Sequence, residues 1–278
     1  MLDNYPNARL FLRNFISPNS FVMYHIGRSG SSVLTDMLRQ HKELKCDGEI
    51  FHGYFGEIGQ QEANERGQRT DTPWLISPFF PNHPDKYLLS RLVYASLKTR
   101  YGFEIKFSHL SLSGVSQQDF FKILQSLNFT KTIILKRNNY LRKIVSSLVG
   151  KARKKLHSKP DERITTTAIE INPNLIKIDS VAKPLMDFLI DYDKEFDLLD
   201  SLIDKDNTLQ LIYEEDIQTD PRIAYRKVCH FLGIQPKQDI NITLKRTTPE
   251  PLSEIVTNFR EIENHLKGTK YEWMTMGE

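Results

Sequence analysis

Residues 21–38, FVMYHIGRSGSSVLTDML, change character twice within one short stretch. An apolar run over 21–26 gives way to Gly27-Arg28-Ser29-Gly30-Ser31-Ser32, after which Val33, Leu34, Met37 and Leu38 recur at helical spacing. The run predicts a buried strand and the recurrence a helix over 31–41, so the segment reads as strand, tight turn, helix. Two glycines and three serines let the turn's backbone approach an anion closely. The N–H groups of the first helical turn then point partial positive charge at that anion. An ATP or GTP loop of the form G-x-x-x-x-G-K-[ST] needs a lysine after its second glycine, and none stands here. Arg28 supplies the charge from inside the loop.

The alternation continues along the chain. Leu88, Leu89, Leu92, Val93 and Leu97 predict a helix over 85–100, followed by a strand at 103–107 and a helix at 120–127. A β-branched run at 132–135 predicts a strand, and 140–149 resumes helical spacing. The basic stretch 151–159 leads into 163–171, whose threonines and isoleucines suit extended backbone, and then into a helix over 180–202. A strand at 209–213 precedes acidic Glu214-Glu215-Asp216 and a helix over 221–232 that stops at Gly233; a last helix at 251–266 is followed by a loop at Gly268. Strands alternating with helices predict an α/β fold, a central mostly parallel sheet flanked by helices. Ligands of such sheets bind at the carboxyl ends of the strands. Residues 53–84 show scattered Gly, Pro, Asn and Gln without periodicity and read as an insertion or lid within one domain spanning 1–278.

Composition narrows the function. A formal charge of +3 over 278 residues gives no basis for binding bulk nucleic acid, so any anion recognition has to be local. Cys46 and Cys229 are too few for a disulfide framework or a four-cysteine zinc site and fit a reducing, cytoplasmic setting. The apolar residues at 10–16 are interrupted by Arg13 and fall far short of a membrane span. Oligomeric state is not legible.

The second informative stretch is 133–147, IILKRNNYLRKIVSS, where a predicted strand ends at Lys136-Arg137 and Ser146 follows on a helix. An arginine fork with a hydroxyl donor suits a phosphate monoester. Anion sites at two strand ends suggest a nucleotide carrying two phosphates.

These residues resemble the sulfotransferases that use 3′-phosphoadenosine 5′-phosphosulfate (PAPS). Arg28-Ser29-Gly30-Ser31-Ser32 is similar to their R-x-G-[ST]-[ST] loop for the 5′-phosphosulfate, and Arg137 with Ser146 to their 3′-phosphate site. The K-R-N-x-x-L-R-x-x-V-S wording and Gly48-Glu49-Ile50-Phe51 look most like bacterial carbohydrate sulfotransferases of the nodulation-factor and trehalose type. Gly102 to Lys106 is similar to a G-x-K strand, with extra residues between the glycine and the lysine. Residues 211–216 with Phe231-Leu232-Gly233 resemble a Y-E-D-L and FLG segment, and Gly268 loosely matches a loop that closes over the 3′-phosphate.

The resemblance implies a P-loop-like sulfotransferase fold and an in-line transfer to a hydroxyl on a small molecule or glycan, with 3′,5′-adenosine bisphosphate as product. It implies Glu49 as catalytic base, with a pKa that burial near Ile50 and Phe51 raises, and it calls for no metal. His52 and His25 are candidates for orienting the acceptor or touching the leaving group. Two other readings stay open: a P-loop-type phosphotransferase, and a nucleotide-binding module without catalysis.

Overall fold

The computed structural model describes residues 20–51, 100–155, 157–162 and 166–276. The expected insertion at 53–84, most of the helix expected over 85–100, and His52 lie outside the described residues.

Chain order runs β1 (Ser20–His25), α1 (Ser31–Arg39), β2 (Leu44–Glu49), β3 (Arg100–Lys106), α2 (Phe107–Ser113), α3 (Gln117–Ser126), β4 (Phe129–Lys136) and α4 (Tyr140–Ala152). A small hairpin of β5 (Ile176–Ile178) and β6 (Val181–Lys183) follows, then α5 (Leu185–Leu202), β7 (Thr208–Ile212), α6 (Arg222–Phe231), α7 (Leu252–Ile255) and α8 (Phe259–Leu266). Five strands form one sheet in the order β2-β3-β1-β4-β7, and every neighbouring pair is parallel.

Both faces of that sheet are covered, which is why β1 and β4 read as continuous apolar runs rather than alternating ones. Phe21 and Met23 turn to one face, where Leu34 and Met37 of α1 and Val228 of α6 complete a core. Val22 and Tyr24 turn to the other, against Ile144 and Val145 of α4 and Phe196 of α5. Full burial of each such side chain contributes roughly 1.5–3 kcal/mol. Gly102 sits directly across from Phe21 in the β1–β3 register, and a Cβ there would lie inside the Phe21 ring. That glycine is set by packing in the middle of the sheet.

Strand order also says where a ligand belongs. The chain leaves β1 toward the β2 side and leaves β4 toward the β7 side, so the connections diverge between β1 and β4. In open parallel sheets the crevice above such a reversal is the binding site. The loop bearing Arg28 and the residue Arg137 stand on its two sides.

Several elements differ from the sequence reading. β2 was not expected, because LKCDGE is polar; as an edge strand it needs only one buried face, supplied by Leu44 and Cys46. Phe107 opens α2 instead of ending a strand, and that helix closes at Gly114 in the left-handed region (φ 67°). The stretch 163–171 makes no ladder among its described residues, only a bridge from Ile169 to Val256. Residues 180–183 belong to the hairpin, not to a helix: Pro184 disfavours helical backbone at Lys183, so α5 starts at Leu185. The last helix is broken into α7 and α8. The Ile169–Val256 bridge and the Asn258 side chain, bonded to both the N–H and C=O of Ile171, hold the break.

Candidate active site

The loop between β1 and α1 is held in left-handed backbone at Gly27 (φ 78°), Arg28 (φ 54°) and Gly30 (φ 81°). Glycine is required twice over at Gly30, since a Cβ there would lie 2.6 Å from Ile217. The buried His25 accepts the Gly27 N–H at Nδ1 (3.0 Å), and Ser29 Oγ donates to the Gly27 carbonyl (3.2 Å). Ser31 begins α1. Among the described residues no side chain caps that helix, and its first turn carries no acidic residue. Its leading N–H groups are therefore disposed toward an outside anion.

Arg28 is the meeting point of the motifs. Its Nε donates to Ser146 Oγ on α4 (3.0 Å), and its Nη2 donates to Thr247 Oγ1 (2.6 Å). Arg137 donates through Nη1 to the Arg28 carbonyl (2.6 Å), fixing the left-handed turn, while its guanidinium lies 4.4 Å from the Tyr213 ring centre. Arg142 and Arg246 stand close enough to act electrostatically on this group. Burial, then Arg137, lowers Arg28 to about 10; burial, then Arg246 and Arg137, lowers Arg142 to about 10. Arg137, only 4% exposed, is lowered by burial first and Arg246 in part, and its Nε has no hydrogen-bond partner among the described residues. Glu214, Glu250, Asp179 and Glu49 offset part of the mutual repulsion of these guanidinium groups, and a bound anion would offset more. Arg246 and Thr247 were missed in the sequence. They lie on irregular chain after α6, where no periodicity marks a residue's direction.

A second cluster sits on the β2 side. Glu49 ends β2 and Lys106 ends β3; Lys106 Nζ lies 2.8 Å from Glu49 Oε2, and His109 Nε2 lies 3.6 Å from the same oxygen. The stem of Lys106 runs beneath Gly27, where an added Cβ would meet it at 3.2 Å. The expectation that burial raises the Glu49 pKa is corrected. Burial does push upward, but Lys106, His109 and His25 together hold the carboxyl well below the usual carboxylate range. Glu49 is thus an anion at neutral pH and a weaker base than a raised pKa would make it.

His25 faces Glu104 at 3.2 Å through Nε2, and one ligand atom from each of His25, Glu49 and Glu104 falls within 4.8 Å of the others. With Nδ1 accepting the Gly27 N–H, a neutral His25 carries its proton on Nε2, which lies 3.2 Å from Glu104 Oε2 without an aligned hydrogen bond. His25 is therefore a buttress of the loop, not a group turned toward an acceptor. Gly268, in left-handed backbone (φ 74°), donates its N–H to Glu272 Oε2 at 2.8 Å.

No protein-family model matches the sequence, and no curated protein matches it. Among solved structures, a sulfotransferase from Alicyclobacillus acidocaldarius is 14% identical with a TM-score of 0.44, covering 95% of this chain and 98% of that one. The sulfotransferase domain of the Synechococcus PCC 7002 olefin synthase is 19% identical with a TM-score of 0.44, covering 80% and 75%. The sulfotransferase domain of the curacin biosynthetic pathway is 16% identical with a TM-score of 0.42, covering 80% and 76%. Similarity at this level assigns neither fold nor activity to the chain.

Proposed function

We propose that this chain transfers a sulfuryl group from PAPS to a hydroxyl on a carbohydrate or glycolipid. One observation carries the reading: Arg28 from the loop after β1, Arg137 at the end of β4 and Ser146 on α4, from both sides of the sheet's reversal point, converge beside the start of α1. In the proposed complex the α1 N–H groups, Ser29, Gly30, Ser31 and Ser32 hold the 5′-phosphosulfate. Arg137 and Ser146, with Arg246 and Thr247 nearby, hold the 3′-phosphate. Arg28, in reach of Ser146 from the loop itself, sets the spacing between the two anions.

Transfer of this kind is mostly positioning and charge stabilisation. Arg28 and the helix N–H groups stabilise charge that develops on the departing 5′-phosphate. Lys106, reaching under Gly27 from β3, places an ammonium where the sulfuryl oxygens pass. Glu49 accepts the acceptor's proton, and its ion pair keeps it unprotonated throughout the neutral range. Glu49→Gln lowers turnover about 10²–10⁴-fold and leaves nucleotide affinity in place; a parallel loss of affinity removes the base role.

The discriminating measurement is thermal stabilisation by 3′,5′-adenosine bisphosphate against magnesium-ADP. A ligand at a hundred times its Kd stabilises the native state by about 2.7 kcal/mol. A larger shift with the bisphosphate supports the reading; a larger shift with magnesium-ADP supports a phosphotransferase instead. Binding of the bisphosphate with no transfer from labelled PAPS to any hydroxyl panel leaves a nucleotide-binding module.

A further inference from the structure

The turn joining β5 to β6 consists of Asp179 and Ser180, both in left-handed backbone at φ 49° and 62°. Such two-residue turns favour Asn-Gly or Asp-Gly, yet the second position here is a serine. Strain of this sort persists where the surroundings over-determine it, and it gathers at functional sites. What the turn delivers is the Asp179 carboxylate. Its Oδ2 accepts a hydrogen bond from Lys143 Nζ at 2.6 Å, and its Oδ1 lies 3.8 Å from Lys106 Nζ. Lys143 is wholly buried and also donates to Tyr192 Oη at 2.8 Å. It precedes Ser146 by three residues on α4 and so shares that residue's helix face.

An alternating chain of charge results: Lys143, Asp179, Lys106, Glu49. It joins the helix of the proposed 3′-phosphate site to the proposed base. The Lys106 ammonium lies against Glu49 at 2.8 Å and one step from Asp179 at 3.8 Å.

We propose that Asp179 is a positioning residue for the transfer step, a second seat that receives the Lys106 ammonium as Glu49 takes up the acceptor's proton. The proposal rests on the sulfuryl-transfer reading above. In the step, the acceptor oxygen forms a bond to sulfur, and the bond from sulfur to the bridging oxygen breaks with its electron pair left on the 5′-phosphate. The hydroxyl proton passes to Glu49. While Lys106 stays paired with Glu49, the carboxylate is a poor base; once Glu49 is neutral, the ammonium faces no counter-charge there. Asp179 answers both demands, and Lys143 anchors it from the buried side. Among the described residues, the other charged or titratable groups acting here include His109, His25 and His157 at Glu49, Glu195 and Tyr192 near Asp179, and Arg28 at both carboxylates.

A double-mutant cycle tests this. Asp179→Asn is made in the unaltered chain and in Lys106→Met, and single-turnover transfer from PAPS is measured together with affinity for 3′,5′-adenosine bisphosphate. The expected loss in transfer rate is about 10–100-fold in the unaltered chain and under about threefold in Lys106→Met, with affinity held within about twofold. Because Asp179→Asn strips the buried Lys143 of its carboxylate, the cycle is repeated with Lys143→Met in every member, and the same contrast is expected. Equal losses in the two backgrounds, or a loss seen only as weaker nucleotide binding, overturn the proposal alone. An unaltered chain that transfers no sulfuryl group overturns the parent reading and this one with it.

Discussion

Of the helices that start at the carboxyl edge of the sheet, α1 and α4 flank its reversal point, and they treat their first turns in opposite ways. At α4 the anion is already part of the protein. Glu214, from the turn after β7, accepts the N–H groups of Asn138 and Asn139 at 3.0 and 3.1 Å, and Asn139 caps the Arg142 N–H at 2.9 Å. At α1, among the described residues, no side chain caps the helix, and its first turn carries no acidic residue. The difference separates two tasks that the sequence presents alike, a strand ending in a basic residue before a helix. At one helix the approach is occupied by Glu214; the other is the end that the proposed function gives to a ligand, with Arg28 reaching from its loop to Ser146 and Thr247. Binding charge thus comes at α4 from a side chain and at α1 from the backbone.

The contrast breaks most completely at Arg28. Arg28→Ala removes the charge of the open loop and is expected to lower transfer about 10²–10³-fold; a variant with unchanged single-turnover rate shows that α1 alone suffices. Arg137→Lys keeps charge but loses the fork that holds both the Arg28 carbonyl and the proposed phosphate. Affinity for 3′,5′-adenosine bisphosphate by calorimetry is expected to fall about tenfold or more. Glu214→Ala sharpens the comparison from the other side. It frees the Asn138 and Asn139 N–H groups just before α4 and costs about 1–2 kcal/mol of stability by urea unfolding, part of which added sulfate restores beyond the stabilisation it gives the unaltered chain.

The smallest effect concerns pH. The folded-state pKa of Glu49 is depressed, so its contribution to stability is complete above its ordinary value of 4.5 and is lost as pH falls below that value toward the folded one. Asp179, lowered by Lys143 and Lys106 against the upward push of burial, follows the same sign. Urea midpoints taken from about pH 5 down to about pH 3 are expected to fall more steeply for the unaltered chain than for Glu49→Gln.

The alternation of strand and helix and the glycine loop were legible because each rests on local periodicity or on residues close in sequence. β2 was not, since an edge strand satisfies burial with half the apolar residues a central strand needs. The hairpin holding Asp179 was hidden inside a helical pattern, and only Pro184 marked where that pattern had to stop. Pairings such as Lys106 with Glu49 join residues far apart in sequence and follow from sheet order, which no window of sequence contains. The acid shift of Glu49 was misjudged for the same reason: the neighbours that set it, Lys106 and His109, arrive from another strand and the helix after it.

Glu49 rides on the outermost strand, and the β2–β3 register shifts between Cys46 and Glu49. The loops proposed to hold the nucleotide spring from β1 and β4, which pair with each other in the middle of the sheet. Substitutions that re-aim the carboxylate can therefore accumulate at the margin without disturbing a single ladder bond of the donor half. A protein arranged in this way can exchange one acceptor for another over evolutionary time while its donor chemistry stands still.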